Sequence, residues 1–259
     1  MTSITSSGIK HGLLGAHPSR TMMLAELERL LQHCGTQPLD RAEYRSAIIE
    51  QNCLGKRSAK TRSLSYRHLG ALYGLNRTEL VFAGLLKFWE RDVEARPLLA
   101  LCAAMARDGW LASVAPFVWQ FEVGTTVTRM AVEERIENLA PGHFSAAVRK
   151  SLAQNINSTL TKSGHLKGRS RKERTRAPAS PAASSYALLL GAADGARGPA
   201  LFDTVYAKAL DCSAEEAVTW AEIASRRGWM RFNRVGDVME VAFPDIASNA
   251  ELERMHEPD

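Results

Sequence analysis

The chain reads as a mainly α protein, a helical bundle with one small C-terminal β-hairpin. Three observations carry that reading. Across its 259 residues, apolar side chains repeatedly recur at helical spacing behind a Ser, Thr or Asp, the pattern of capped amphipathic helices. Two β-prone runs, Trp229–Asn233 and Val238–Phe243, flank Val235-Gly236-Asp237 and predict the hairpin. Finally, Arg107-Asp108-Gly109-Trp110-Leu111, Lys162-Ser163-Gly164-His165-Leu166 and Arg226-Arg227-Gly228-Trp229-Met230 each read as a helix end, a capping Gly and an apolar pair entering an extended segment. A winged helix-turn-helix passes from its third helix into its wing in this way, and so does any helix that ends in a Schellman cap. Winged-helix-turn-helix-like elements are therefore expected within the bundle.

Taken in order, residues 1–18 read as loose, being rich in Ser, Thr and Gly. Ser19 is placed to cap a helix with Met23, Leu27, Leu30, Leu31 and Cys34 inward, which Gly35 stops. Asp40 with Glu43 makes a capping box for a second helix, with Tyr44, Ala47, Ile48 and Gln51 on its stripe. Ser58 caps a third, with Leu64, His68, Ala71, Leu72 and Leu75 on its stripe. Asn76–Trp89 and Leu98–Arg107 are apolar enough to be central helices. Thr125 or Thr126 starts the next, with Met130, Val132, Ile136 and Leu139 inward, and Ser145 caps a long helix reaching Lys162. Residues 167–184, a run of basic then Ala, Pro and Ser residues, are low in complexity and predicted to stay unordered. Helices at 184–193, 199–210 and from Ser213 to Gly228, the last with a Glu216 capping box, precede the hairpin. Three divisions follow: 1–122, an N-terminal helical domain; 123–178, a winged-helix-like segment with a basic loop; and 179–259, a C-terminal helical domain with the hairpin.

Hydrophobic residues make up 45% of the chain, ample for ordered packing. The net charge of +5 is unevenly spread: Lys167 to Arg176 holds six basic residues and one acid, whereas from Ala177 onward there are seven basic residues and thirteen acids. Such asymmetry points to an anionic partner for the first two divisions. The cysteines Cys34, Cys53, Cys102 and Cys212 form no C-x-x-C pair and read as small buried hydrophobes. No secretory signal opens the chain, and the most apolar stretch, Pro97–Phe121, is cut by Arg107-Asp108-Gly109 into pieces short of the roughly 20 residues a spanning helix needs. A cytoplasmic protein with no membrane partner is the expectation.

The helix from Ser145 to Lys162 has the most informative surface. Val148, Leu152, Ile156 and Leu160 form a docking row, while Arg149, Lys150, Gln154, Asn157 and Lys162 lie opposite or beside it, and no acid occurs from Ser145 to Arg171. Lys and Arg supply charge for phosphates; Asn and Gln supply paired donor and acceptor groups for base edges. An ordinary exposed helix is the alternative, though such faces usually mix in Glu and Asp. The loop that follows adds Lys167, Arg169, Arg171, Lys172, Arg174 and Arg176, cations placed to reach phosphates as a wing does. It holds no aromatic residue, which disfavours single strands bound by base stacking and favours double-stranded DNA. A second acid-free cluster around Ser58, with Lys56, Arg57, Lys60, Arg62 and Arg67, offers either a phosphate site at a helix start or a solvated helix end.

Phosphate-binding glycine loops, nucleophile elbows and H-E-x-x-H metal motifs are missing from the sequence. His11 and His17 lie in the loose segment without partner carboxylates, and His68 reads as a core-edge residue. The expectation is a non-enzymatic protein with no catalytic residue, metal, cofactor or small-molecule substrate.

Asn52-Cys53-Leu54-Gly55-Lys56-Arg57-Ser58, preceded by Ile48-Ile49-Glu50 and followed by a basic helix, resembles the E-x-N-x-L-x-K-R-S stretch of the BrxA proteins of bacteriophage-exclusion (BREX) defence systems. The likeness extends loosely over residues 6–210. It implies a small, all-helical, non-enzymatic DNA-binding protein of winged-helix or NusB-like character, with Asn52, Leu54, Lys56, Arg57 and Ser58 as motif positions. Asn52 and Leu54 are either part of that role or simply hold a turn. The developed acidic C-terminal part departs from the family and suits a docking role toward other subunits of the defence complex. Two further readings stay open: a protein-interaction scaffold, and RNA binding through a NusB-like surface.

Overall fold

A computed structural model describes residues 4–37 and 39–255. It is mainly helical, with a small two-stranded antiparallel sheet near the C-terminus. The first five helices are α1 (Leu24–Cys34), α2 (Arg41–Ile49), α3 (Ala59–Tyr73), α4 (Leu80–Trp89) and α5 (Arg96–Met105). The Asp40–Glu43 capping box starts α2 and Ser58 accepts from the Thr61 amide at the start of α3, both as the side-chain chemistry dictates.

Several starts differ from the sequence reading. Helix α1 begins after Met23, which is left-handed (φ 51°) and makes no side-chain cap, so Ser19 caps nothing. Helix α4 begins at Leu80, because Asn76 turns the chain by accepting from the Thr78 amide. The buried stripe of α3 is Ser65, Leu69, Leu72 and Tyr73, one residue round from the predicted one, leaving Leu64, His68 and Ala71 half-buried.

The described part of the N-terminal segment, 4–22, is tied down. The Lys10 amide donates to Ala106, and the amides of Leu80 and Val81 donate to Ser6 and Ser7. Asp108 is the anchor: its Oδ2 accepts from the amides of Ala16 and His17 at 2.6 and 2.9 Å, while its Oδ1 caps helix α6 (Gly109–Trp119) through the Leu111 amide at 3.0 Å. Burial works against this carboxylate, but the His17 ring and these amide donors hold its pKa below the usual carboxylate range. Gly109 therefore starts a helix rather than ending one. It is glycine because a Cβ there would stand 1.8 Å from the Gly12 carbonyl oxygen.

After α6 come β1 (Thr126–Val127), α7 (Arg129–Leu139), α8 (Ala146–Lys162), β2 (Leu166–Lys167) and β3 (Lys172–Arg174). The strands form an antiparallel sheet of order β1-β3-β2, pairing Thr126 with Glu173 and Lys167 also with Glu173. Thr128, not Thr125 or Thr126, caps α7; Val132 and Ile136 point inward and Met130 is 73% exposed. Residues 167–184 are ordered, contrary to their composition. Ser180 caps α9 (Pro181–Ala193), whose every residue is buried, and small side chains let α9 lie close on α4: a Cβ on Gly84 would stand 2.7 Å from Leu189 Cδ2. Burial of Leu188, Leu189 and Leu190 contributes roughly 1.5–3 kcal/mol each.

The predicted 199–210 helix divides into a 3₁₀ turn (Gly198–Asp203) and the short α10 (Val205–Lys208). Then follow α11 (Ala214–Arg226), opened by the Ser213–Glu216 box, the hairpin β4 (Arg231–Val235) and β5 (Val238–Ala242), and α12 (Asn249–Arg254). Buried side chains on both sides of residues 122 and 178 belong to one hydrophobic cluster. Among the described residues, no helix is long and apolar enough to cross a membrane.

Candidate nucleic-acid interface

Helix α8 starts at Ser145, whose Oγ accepts from the Val148 amide, and buries Leu152, Ala153, Ile156 and Leu160. Val148 is 37% exposed and extends the row into solvent. The polar residues between these divide into two sets. One set holds the N-terminal segment. Asn155 Nδ2 donates to the His17 carbonyl at 2.8 Å, and Lys162 Nζ donates to Thr21 Oγ1 at 2.9 Å. Thr159 Oγ1 accepts from the Met22 amide and bonds His17 Nε2, while His17 Nδ1 donates to Asp108 at 2.8 Å. This buried Asp108–His17–Thr159 chain gives His17 the carboxylate partner its neighbours in sequence lack.

In the other set, Gln154, Asn157 and Ser158 face the turn between β2 and β3, and Lys150 lies one turn before Gln154 on the helix. Lys150 and Gln154 are exposed, whereas Asn157 is only 4% exposed and so does not stand on the outer face. Gly168 opens the turn at φ 94°, where a Cβ would collide with the Arg171 carbonyl oxygen. Arg169 stands exposed and unpaired among the described residues. Arg171 Nε donates to Thr126 Oγ1 at 2.9 Å and Lys172 Nζ to the Gly168 carbonyl at 2.7 Å; partial burial lowers the Lys172 pKa. A groove of about 750 Å³ separates α8 from this turn, and among the described residues no carboxylate lines it. It includes Thr128 and Arg129 at the start of α7, which are distant from α8 and the loop in sequence.

The remaining predicted cations are engaged elsewhere. Arg149 pairs with Glu137 on α7. Lys167 pairs with its cross-strand neighbour Glu173 at 2.7 Å. Arg174 is 2% exposed and makes a two-pronged pair with Asp211 at 2.8 and 2.5 Å, so its role is internal. Arg176 pairs with Glu216 at 2.7 Å. In the second cluster, Lys56 pairs with Glu26 at 3.0 Å; burial opposes that carboxylate's charge, yet the Lys56 bond holds its pKa low. Arg57, Lys60 and Arg67 are exposed and Arg62 half-buried. Asn52, left-handed at φ 52°, accepts from the Lys56 amide at 2.7 Å, and Leu54 is buried. These motif positions thus build the turn between α2 and α3. The two basic regions meet at α1, where Glu26 feels the charges of both Lys56 and Lys162.

His165, just after α8, is the other group not foreseen. It is buried, stacked on Trp119, with Nε2 donating to the Ala209 carbonyl at 3.0 Å and Nδ1 bonded to Ser163 at 2.8 Å; burial pushes its pKa down to about 4. No sequence signal marks it, because both Trp119 and Ala209 lie far along the chain. The thiol of Cys102 is fully buried and raised to about 12, and the other three described thiols are half-buried. Among the described residues no His, Cys, Asp and Glu cluster is arranged to hold a metal ion.

The chain matches no protein-family model, and no curated protein matches it.

Proposed function

We propose that this is a non-enzymatic protein that binds double-stranded DNA in the cytoplasm, as an accessory subunit of a BREX-type phage-defence system. Residues 109–174 act as a winged helix-turn-helix: α6, β1, α7, α8 and the β2–β3 hairpin follow that order, with the 168–171 turn as the wing. One observation carries the reading. The outward side of α8 presents Lys150, Gln154 and Ser158 without an acid, beside an unpaired Arg169 at the wing tip. Side chains of this kind contact phosphates and base edges together. The assignment to phage defence rests on the Asn52–Ser58 resemblance.

Fluorescence anisotropy with a labelled duplex tests this over a salt series. If Lys150, Arg169 and Arg171 each neutralise a phosphate, log K falls against log salt with a slope of about −3. The Lys150→Ala/Arg169→Ala variant flattens that slope by about 2. Binding that is unchanged in slope and affinity would sink the proposal, and structured RNA outcompeting duplex would move it to RNA. A scaffold role is the second reading. It is favoured by the exposed hairpin tip, where Val235 and Val238 are 79% and 72% exposed. Co-purification of other defence subunits that is lost on Val235→Asp would support it.

A further inference from the structure

Three segments distant in sequence bring cations to one surface. Residues 21 and 22 bind the last turns of α8: Thr21 Oγ1 accepts from Lys162 Nζ at 2.9 Å, and the Met22 amide donates to Thr159 Oγ1 at 3.0 Å. Arg20, one residue earlier, is exposed, as are Lys162 and, on α3, Lys60 and Arg67. Lys60 and Arg67 are two helical turns apart, so they share a face at a spacing of about 10 Å, with the exposed Ser63 between them. Burial, and after it the charges of Arg20 and Arg67, holds the His68 pKa down, which puts both guanidiniums near that ring. Glu26 of α1 feels Lys162 as well, but Lys56 engages it at 3.0 Å.

These cations lack the partners that others in the fold find. Arg149, Lys167, Arg174 and Arg176 each meet a carboxylate. Arg20, Lys60 and Arg67 meet none among the described residues, and Arg20 uses only Nη1, on the Ser19 carbonyl at 3.1 Å. An ordinary solvated helix mixes acids among its cations, whereas α3 has no acid in fifteen residues. Like charges gathered by the fold repel one another, and a polyanion relieves that repulsion while releasing its own counterions. Spread along a face rather than gathered at one point, the cations suit a run of phosphates, with Ser63 as a further donor.

We propose that Arg20, Lys60, Arg67 and Lys162 form a second phosphate-binding surface, across which the duplex held by α8 and the wing continues. The inference rests on the duplex reading given above but uses none of the side chains that carry it. Lys162 lies twelve residues beyond Lys150, about 18 Å along α8. The shared path therefore covers more than about five base pairs.

Fluorescence anisotropy of the full-length protein with a labelled duplex of about three helical turns tests this over a salt series. With Arg20, Lys60 and Arg67 added to the three cations of α8 and the wing, the wild-type slope of log K against log salt is about −6 rather than about −3. Arg20→Ala/Lys60→Ala/Arg67→Ala is expected to flatten it by about 3 and to weaken binding at least about tenfold near physiological salt. The charge-keeping variant Arg20→Lys/Lys60→Arg/Arg67→Lys retains the wild-type slope; a flattened slope there too would make the loss structural and overturn the assignment. Loss in both the triple Ala variant and Lys150→Ala/Arg169→Ala, with one duplex bound per protein, supports the shared path. Loss in Lys150→Ala/Arg169→Ala alone overturns this inference and leaves the α8 reading standing. Loss in the triple Ala variant alone removes α8 from the contact and overturns the shared path, as does binding of two duplexes per protein.

Discussion

Two regions of this molecule share a backbone device and differ in nearly everything they show to solvent. Both α8 and α11 start at a capping Ser, end in a left-handed Gly and run into an antiparallel hairpin. Their caps match bond for bond: His165 N donates to Leu160 O at 2.9 Å and Trp229 N to Ala224 O at 3.0 Å, while Gly164 and Gly228 donate to Thr161 and Ser225. Yet α8 carries no acid, whereas α11 exposes Glu215, Glu216 and Glu222. One hairpin tip reads Gly168-Arg169-Ser170-Arg171, the other Val235-Gly236-Asp237-Val238. A helix cap is a matter of local backbone bonds and is indifferent to which side chains point outward. The shared motif therefore says how the chain turns and leaves the partner to the surface chemistry.

The two regions are joined by buried polar contacts, and the largest expected effect comes from breaking one. Arg174→Met strands the half-buried Asp211 and should cost about 3–5 kcal/mol in urea unfolding, with much of the loss recovered by adding Asp211→Leu. A loss near zero would make the pair dispensable and weaken the link between the regions.

The second link, His165 to Ala209, makes stability depend on pH. Its folded pKa, about 4, lies below the usual value of 6.5, so the folded state keeps the ring neutral while the unfolded chain takes up a proton. The contribution is complete above about pH 6.5 and is lost as pH falls from there toward 4. The loss should amount to roughly 2–4 kcal/mol relative to His165→Gln. Parallel pH profiles for the two proteins would refute the link.

Next in size are the glycines. Gly109→Ala forces a Cβ onto the Gly12 carbonyl and should cost about 1–3 kcal/mol by overpacking. Gly228→Ala meets open space and bears only the strain of φ +70°, about 1 kcal/mol. Thermal unfolding of the two variants separates a close approach from a true helix cap. Smallest of all, Arg231→Ala/Arg234→Ala on the second hairpin should leave duplex affinity within about twofold of wild type. A loss matching that of Lys150→Ala/Arg169→Ala would mean that both hairpins contact DNA.

Legibility followed the range of the interactions involved. The capping boxes at Asp40 and Ser213, the caps at Ser58 and Ser145, and the 231–242 hairpin were all readable, since each depends on residues within a few positions. The start of α1 was not, because Met23 turns the chain through its backbone alone. From sequence Gly109 reads as a helix end, because the reason for it, Gly12, lies almost a hundred residues earlier. By composition residues 167–184 read as an unordered stretch, because composition ignores that Arg174 has Asp211 waiting and that Ala-rich α9 fits closely on α4.

By itself, the sequence determined the helical class, the starts of α2, α3, α8 and α11, the terminal hairpin and the acid-free face of α8. Tertiary structure alone decided which cations are available. Arg149, Arg174, Arg176 and Lys56 find their carboxylates 12, 37, 40 and 30 positions away, while Lys150 and Arg169 find none among the described residues. The reason is that a charge becomes part of the interior or of the surface according to what the fold brings within about 4 Å of it, and linear spacing carries no record of that distance.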